Sequence, residues 1–337
     1  MAVSTDLYDA IRVRRKALVL SIACAGALTV AGAALAGNGG LLPPAPHSPN
    51  AERIRQAYIF VLVFAAIVFV IVEGALLVLI VKYRRGRRPR AADGLQIHGS
   101  TRLEVLWTVV PVLILAAIGA FVFVKLPGIA NPPAASAADS ATITVEGHQF
   151  YWMFRYPNGA ISVGTMTAPA DNVVHENVYA PATDVVHSWW VPELGGKIDA
   201  IPGKTNHTWF QAPAGDYDAR CSDLCGIQHT LMIAVVRVVP RAAYETFIAE
   251  RAANPTSIVL GREEYQHVCA VCHKLNAAYV GPALGGNPLM SDAKGLTTIL
   301  REGFGTMPAV GSDWTNDQIT ALVRYTSILE KHPASGG

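Results

Sequence analysis

The segment CSDLCGIQHTLM, Cys221–Met232, concentrates possible metal ligands in one short loop. It contains two cysteines, one histidine and one methionine, each three or four residues from the next. A disulfide would leave His229 and Met232 unexplained. Zinc prefers a closed tetrahedron of nitrogen and sulfur ligands and has little use for a thioether. Thiolate, imidazole and thioether donors in one loop favour copper instead.

The number of cysteines indicates more than one copper ion. A mononuclear blue copper site uses one cysteine, two histidines and a weak methionine, whereas this loop has two cysteines and one histidine. The second histidine must come from elsewhere, and our candidate is His187 in DVVHSWWVPELGGKIDAIPG. Two bridging thiolates, Cys221 and Cys225, can hold two copper ions with one imidazole each. Met232 and a backbone carbonyl of the loop would then take the weak axial positions.

A second motif, CAVCH at Cys269–His273, has the C-x-x-C-H pattern of covalent haem attachment. The two thiols form thioethers with the haem, and His273 becomes an axial ligand of the iron. Half of a zinc ribbon would need another C-x-x-C, but the other cysteine pair, Cys221 and Cys225, has three residues between its members. A thioredoxin-type redox pair would need a βαβ pattern, which the surrounding sequence does not show. For the sixth ligand, Met307 in GTMPAVG is favoured over Met290 in NPLM because it stands just before the last predicted helix.

The bulk composition indicates a membrane protein of two or three domains. The chain has 337 residues, of which 51% are hydrophobic and only 15% are charged, well below the usual share of charge. Two apolar runs, Ala57–Val81 and Val105–Val124, are long enough to cross a bilayer. The segment between them includes KYRRGRRPR, Lys82–Arg90, with six basic residues and no acid. This predicts a cytoplasmic loop and places everything after Lys125 outside.

Charge distribution also bears on partners. The net charge of +2 does not favour nucleic acid. Residues 1–140 hold 14 basic and 7 acidic residues, whereas residues 141–240 hold 5 and 9. A basic membrane-proximal part and a mildly acidic middle part agree with the predicted orientation.

The N-terminal residues 1–36 predict a signal peptide or an uncleaved anchor helix. A basic patch, Arg12–Lys16, precedes small apolar residues that end in an A-x-A-like site at Ala34–Ala36. Cys24 lies within that apolar run, and its surroundings do not favour a lipid-modified cysteine.

Beyond the apolar runs, the pattern of apolar and polar residues changes twice. Residues 141–240 contain short alternating runs such as ATITVEG, ISVGTM, NVVHENVYA and MIAVVRVV, separated by turn signals, which predict a β-sandwich. RAAYETFIAERAAN predicts a helical connector. Residues 256–333 predict a small, mostly helical domain that ends in an amphipathic helix, DWTNDQITALVRYTSILEK.

Taken together, residues 57–240 resemble cytochrome c oxidase subunit II, which carries the binuclear copper centre CuA of haem–copper oxidases. The resemblance rests on HGSTRLEVLWTVVPVLIL, GHQFYW, HSWWVPELGGKIDAIPG and the Cys221–Met232 loop. With the fused CAVCH domain, the chain resembles the caa-type branch. The implied fold class is a multidomain membrane protein. It would consist of a transmembrane hairpin over 53–128, a cupredoxin-like β-sandwich over 141–240 and an all-α class I cytochrome c domain over 256–333.

The resemblance also implies residue roles. Asp223 occupies the position whose backbone carbonyl completes the copper site, and whose carboxylate, usually that of a glutamate, reaches a Mg²⁺ ion shared with subunit I. Glu104 matches a glutamate near the mouth of a proton channel. Phe150 stands where the family usually has the tryptophan that receives electrons from docked cytochrome c. Pro282 matches a proline whose carbonyl orients the haem histidine. The side chains implied as copper ligands are His187, Cys221, Cys225, His229 and Met232. Those implied for haem c are Cys269, Cys272, His273 and Met307.

The function that the resemblance implies is electron transfer within a terminal oxidase. A soluble or membrane cytochrome c, or an upstream cytochrome complex, would deliver electrons to haem c and then to CuA. Subunit I would reduce oxygen to water with proton translocation, and subunit III is a further expected partner. The expected location is a bacterial-type plasma membrane, crossed more than once, with both cofactor domains on the outer or periplasmic side.

Rival functions differ from this one in features that the sequence displays. A quinol oxidase subunit lacks the copper ligands, and a nitrous oxide reductase would need a large histidine-rich domain. A membrane-tethered copper or haem sensor would lack a catalytic partner, so co-purification with subunit I would separate it from an oxidase. Among the other histidines, His148, His175, His207 and His267 are interpreted as packing or surface residues rather than as ligands.

Overall fold

The computed structural model of the chain describes residues 42–83 and 99–331. The predicted signal or anchor segment with Cys24, residues 84–98 of the basic loop region and residues 332–337 lie outside the described residues. Internal contacts divide the chain into Met1–Ala45 and Pro46–Gly337. The apolar helices, the sandwich and the C-terminal helices all lie in the second unit.

Two long apolar helices form a hairpin, as the hydropathy of the sequence predicts. Both are long and apolar enough to cross a membrane. Near the outer end, Lys125 Nζ donates to Gln56 Oε1 at 2.7 Å, and Phe60 stacks on Phe121 with ring centroids 4.2 Å apart. The indole of Trp209, in the sandwich, donates to the carbonyl of Ile129 at 2.9 Å. The helices are α1, Pro49–Tyr83, and α2, Thr101–Ala130.

Two five-stranded sheets form the sandwich that the alternating sequence predicts. The strands are β1 Ser140–His148, β2 Tyr151–Arg155, β3 Ile161–Val163, β4 Thr165–Pro169, β5 Val173–Tyr179, β6 His187–Trp190, β7 Ile198–Ala200, β8 Asn206–Phe210, β9 Gly215–Cys221 and β10 Ile233–Val239. In the first sheet the order is β3-β2-β1-β5-β8, and in the second it is β4-β10-β9-β6-β7. The pairs β1–β5 and β4–β10 are parallel, and the other ladders are antiparallel.

One predicted strand is divided between the two sheets. ISVGTM was expected to be a single run, but β3 ends at Val163 and β4 begins at Thr165, in the other sheet. Gly164 separates them with a φ of +75°, a conformation that glycine adopts without a steric penalty. The core between the sheets is formed by large buried side chains, which include Trp152, Phe154 and Trp189.

Helices follow the sandwich, as predicted. The connector is α3, Arg241–Ala253, and the last domain contains α4 Ile258–Glu264, α5 Ala293–Glu302 and α6 Asn316–Lys331. A wider π-helical turn, Tyr265–Cys269, continues α4 into the haem motif. At Gly261, a Cβ would collide with the carbonyl of Ala321. The close crossing of α4 and α6 therefore requires glycine there.

The last domain packs directly on the outer face of the first sheet. Tyr151 and Met153 of β2 and Val163 of β3 are 1% or less exposed and share a hydrophobic cluster with the helices. The Tyr151 hydroxyl donates to the carbonyl of Val310 at 3.1 Å and accepts from the Trp314 indole at 2.9 Å. A common core therefore joins the two domains, in addition to the connector helix.

Candidate metal centres

The candidate copper ligands come together at one end of the second sheet. His187 begins β6, and Cys221 ends β9, which pairs with β6 so that Cys221 lies opposite Trp189. The backbone amide of Cys221 donates to the carbonyl of Met232 at 3.0 Å and so closes the loop between these two residues. Sheet pairing thus brings together two donors that are 34 residues apart in the chain.

The donor atoms face one another at short distances. Cys221 Sγ lies 4.0 Å from His187 Nδ1 and 3.2 Å from the carbonyl oxygen of Asp223. Cys225 Sγ lies 3.6 Å from His229 Nδ1 and 3.8 Å from Met232 Sδ. The ligand atoms of His187, Cys221 and Cys225 all lie within 4.8 Å of one another.

These distances fit donors that share metal ions. An ion held about 2.0–2.3 Å from nitrogen and sulfur ligands sets neighbouring ligands roughly 3.5 Å apart. The donor set, two thiols, two imidazoles and a thioether, is soft and suits copper. His187, Cys221, Cys225 and Met232 are each 6% exposed or less, so these four donors are shielded from solvent, whereas His229 is half-buried.

A carboxylate orients the first imidazole. His187 Nε2 donates to Asp184 Oδ1 at 2.9 Å, which leaves Nδ1 with its lone pair facing Cys221. Such a second contact fixes the tautomer and ring position of a metal-binding histidine. A Cβ on Gly147 would lie 3.1–3.2 Å from the His187 side chain, so the close approach of β1 also restrains the ring. Asp184 was not predicted as a functional residue, although its position three residues before His187 is a signal in the sequence.

Charge coupling distinguishes the two thiols. Burial opposes ionisation of Cys221, but its side-chain contact with His187 and its backbone contacts lower its pKa to about 7. Burial, together with the neighbouring Cys221, raises the pKa of Cys225 to about 12. The pKa of His187 is raised, because contacts with Asp184 and Cys221 outweigh its burial. A cation that binds both sulfurs would relieve the repulsion between two thiolates.

The β1–β2 turn supports the loop from the other side. Gln149 Nε2 donates to the carbonyl of Cys225 at 2.6 Å, and the Gln149 amide donates to Asp184 at 3.1 Å. The ring of Phe150 packs against Gly226, where a Cβ would lie 2.9 Å from it. Phe150 therefore lies against the candidate copper loop. The contact of Gln149 with the copper loop was not predicted, because it depends on tertiary packing across 76 residues of the chain.

Asp223 and Glu104 are both exposed. Asp223 offers its backbone carbonyl to Cys221, as described above. Glu104 lies in the first turn of α2, outside the sandwich.

The candidate haem histidine has the support that the resemblance implied. His273 Nδ1 donates to the carbonyl of Pro282 at 2.8 Å, which leaves Nε2 with the lone pair that an iron ligand needs. Gly281 lies so close that a Cβ there would collide with the imidazole. Burial raises the pKa of Cys269 to about 12 and also raises the pKa of Cys272. Two thiols in apolar surroundings beside an oriented imidazole fit a covalent haem.

The two candidate methionines differ in their surroundings. Met290 is 4% exposed within the hydrophobic cluster of the last domain, and its carbonyl accepts from the Thr326 hydroxyl at 2.6 Å. Met307 is only partly buried, at the edge of the same cluster, in a turn closed by two hydrogen bonds with Phe304. Met290 is thus already part of the packed core.

Comparisons with protein families divide the chain into three matches. Residues 37–124 match the family "Cytochrome C oxidase subunit II, transmembrane domain", and residues 164–239 match "Cytochrome C oxidase subunit II, periplasmic domain". Residues 257–325 match "Cytochrome C oxidase, cbb3-type, subunit III".

Similar proteins span most of the chain. A cytochrome c oxidase subunit 2 of Alkalihalophilus pseudofirmus is 32% identical over 256 residues, which cover 71% of this chain and 72% of that protein. One of Cereibacter sphaeroides is 33% identical and covers 66% and 83%. Among solved structures, the periplasmic domain of subunit II of cytochrome oxidase from Bradyrhizobium japonicum is 30% identical. It covers 34% of this chain and 94% of that domain, with a TM-score of 0.32.

Proposed function

This chain belongs to the cytochrome c oxidase subunit II family, and from that membership we propose how its residues carry electrons from a cytochrome c donor to subunit I. It is subunit II of a haem–copper oxidase with a C-terminal cytochrome c domain. The proposal concerns the residues that hold the cofactors, the order of transfer and the surfaces that meet partners. When bound, copper in the sandwich and haem in the last domain each supply one-electron redox chemistry.

The observation that carries the proposal is the meeting of two thiols, two imidazoles and a thioether at one end of the sandwich. We assign two copper ions to His187, Cys221, Cys225, His229 and Met232, with the carbonyl of Asp223. Support comes from the donor distances of 3.2–4.0 Å and from Asp184, which holds His187 with Nδ1 toward sulfur. A buried site on paired strands limits rearrangement when the charge changes.

We assign haem c to Cys269, Cys272 and His273, with Met307 as the sixth ligand. The contact between His273 and Pro282 supports the proximal assignment. Met307 is favoured over Met290 because Met290 is enclosed in the hydrophobic cluster. Recruiting Met290 to iron would remove it from that packing.

Electrons enter, in this proposal, through the cytochrome domain. The domain is held by the shared core around Tyr151 and Trp314. Tyr151 stands two residues from Gln149, which contacts the carbonyl of Cys225. Phe150, in place of the usual tryptophan, weakens the case for a soluble cytochrome that delivers electrons directly to the sandwich.

The surface of the copper loop supports contact with subunit I. Leu224 and Ile227 are each 80% exposed, and exposed apolar side chains that cluster on one loop mark protein-interaction sites. Exposed Asp223 lies on the same loop, and we propose that its carboxylate contributes to a Mg²⁺ site at that interface. We further propose that Glu104 lies at the mouth of a proton channel and that subunit III completes the complex.

The chain is a membrane protein with an outer-side domain. We propose that both helices cross a bacterial-type plasma membrane and that both cofactor domains face the periplasmic side. The two apolar helices and the six basic residues of Lys82–Arg90 support this orientation.

Copper analysis tests the metal assignment. Wild-type chain purified with its complex should contain two sandwich coppers, and their electron paramagnetic resonance spectrum should show one electron shared by two nuclei. Cys221→Ser should abolish that spectrum, because one bridging thiolate cannot hold both ions. Asp218→Asn, an exposed change on the same strand, is the control and should leave it intact. One copper per wild-type chain, with the hyperfine pattern of a single nucleus, would contradict the assignment.

Stopped-flow spectroscopy tests the order of transfer. After the complete oxidase is mixed with reduced cytochrome c, the haem c band should change before the copper band. Removing the cytochrome domain is a poorer test, because it would uncover the buried side chains of Tyr151, Met153 and Val163. If copper is reduced first, the donor reaches the sandwich directly and the order proposed here is wrong.

A further inference from the structure

A cluster of three possible ligands spans the junction between the sandwich and the cytochrome domain. Glu146 and His148 lie two residues apart on β1 and so point to the same face of the strand. Asp313 comes from the turn before α6 of the cytochrome domain. One ligand atom from each residue lies within 4.8 Å of the other two.

One nitrogen of the imidazole in this cluster has no hydrogen bond of ordinary length. His148 is 4% exposed, and no described residue forms a well-shaped hydrogen bond with its Nε2, which lies 3.5 Å from Glu146 Oε2. Its ring stacks on Tyr151, with centroids 4.6 Å apart and planes inclined by 2°. Tyr151 is in turn bound to Trp314, the neighbour of Asp313. A buried polar atom without a hydrogen-bond partner destabilises the folded state by about 1–3 kcal/mol. A ligand bound to His148 Nε2 would remove that penalty.

The carboxylate beside it is held by neighbouring side chains. Glu146 Oε1 accepts from Arg155 Nε and from the Tyr179 hydroxyl. The other oxygen, Oε2, lies 3.5 Å from His148 Nε2, about the separation of two ligands on one ion. Metal-binding carboxylates characteristically carry such supporting hydrogen bonds.

We propose that Glu146, His148 and Asp313 form a zinc-class divalent cation site that clamps the cytochrome domain to the sandwich. One imidazole nitrogen and two carboxylate oxygens suit Zn²⁺, with a fourth position open to water. The set contains no sulfur and therefore does not favour the soft ions of the copper loop. The guanidinium of Arg155 offsets one carboxylate charge and limits the affinity.

This site is separate from both electron-transfer centres. It uses none of their assigned ligands, and its two halves belong to different domains. His148 was not predicted as a ligand, because Asp313 lies 165 residues after it in the chain. Only the docking of the two domains brings these side chains together.

Zinc titration of the complete, copper- and haem-loaded chain in detergent tests the proposal. After gel filtration, elemental analysis should find one zinc per wild-type chain at saturation. Asp313→Asn and His148→Gln should each weaken zinc binding at least ~10-fold, the lower limit typical even for loss of a supporting residue. Asp317→Asn, an exposed acid of the same domain, is the matched control and should not change it.

A second readout follows the clamp itself. Zinc should raise the unfolding temperature of the cytochrome domain in wild type and in Asp317→Asn, but not in Asp313→Asn, because a ligand stabilises the state that binds it. Since Asp313 is exposed, its variant keeps the test valid if His148→Gln fails to fold. The proposal is overturned if wild type takes up no zinc. Equal binding by Asp313→Asn and wild type would overturn it as well.

Discussion

Glu176 places a titratable group in the middle of the sandwich, and its replacement by glutamine should remove a pH dependence of stability. Glu176 is 4% exposed on β5, in the first sheet. Its Oε1 accepts from the indole of Trp189, in the second sheet, at 2.9 Å. Burial raises the pKa of Glu176 to about 7, and the hydrogen bond from Trp189, which lowers the pKa, offsets only part of that rise.

The sign and size of the effect follow from linkage. The folded chain keeps the Glu176 proton up to about pH 7, whereas the unfolded chain loses it near 4.5. The folded state therefore binds more protons in that window, and the free energy of unfolding falls as pH rises through it. Between pH 5 and pH 8 the loss from this group is about 2.5 kcal/mol, from 1.36 kcal/mol per pKa unit.

Guanidinium unfolding of the full-length chain at pH 5 and pH 8 measures the effect. Glu176→Gln keeps an acceptor for Trp189 but cannot ionise, so its stability relative to wild type should improve by about 2.5 kcal/mol between the two pH values. Glu250→Gln, at an exposed position of α3, is the control and should show no such change. A difference between wild type and Glu176→Gln that is the same at both pH values would refute the reasoning.

Three further predictions concern the haem ligand, the helix crossing in the cytochrome domain and the copper site. Met307→Ala should lower the haem reduction potential and let carbon monoxide bind the iron, because axial ligands set that potential over a range of about 0.8 V. Met290→Leu, which preserves core volume, should do neither. The reverse result in redox titration would assign the ligand to Met290. Gly261→Ala should destabilise the cytochrome domain by roughly 1–3 kcal/mol through overpacking, read from the haem absorption in guanidinium. Val259→Ala, on an exposed position of the same helix, should have a smaller effect, and equal effects would argue against the close crossing. Gln149→Leu should keep two coppers but alter their magnetic resonance spectrum, because it removes a hydrogen bond of 2.6 Å to the loop; an unchanged spectrum would show that this contact is unimportant.

The local features of this chain were predictable because short spacing fixes which groups are neighbours. The apolar runs predicted both long apolar helices, since hydropathy and length are properties of consecutive residues. The spacing of Cys221, Cys225 and His229 kept three donors within one loop, and C-x-x-C-H kept the haem motif together. The alternating runs predicted a sandwich, and the amphipathic pattern of the last segment predicted α6. Each of these signals lies within one element of the chain.

Sheet pairing and domain docking decided what the local pattern left open. His187 meets Cys221 only because β6 and β9 are neighbours in one sheet, and Asp184 and Gln149 acquire their supporting contacts at the same place. Gly164 divided a predicted strand because one residue with positive φ redirects the chain. The burial of Tyr151 and the approach of Asp313 to His148 depend on two domains that pack together. Such contacts join residues far apart in the chain, and their geometry is set by the packing of the whole fold rather than by the order of neighbouring residues.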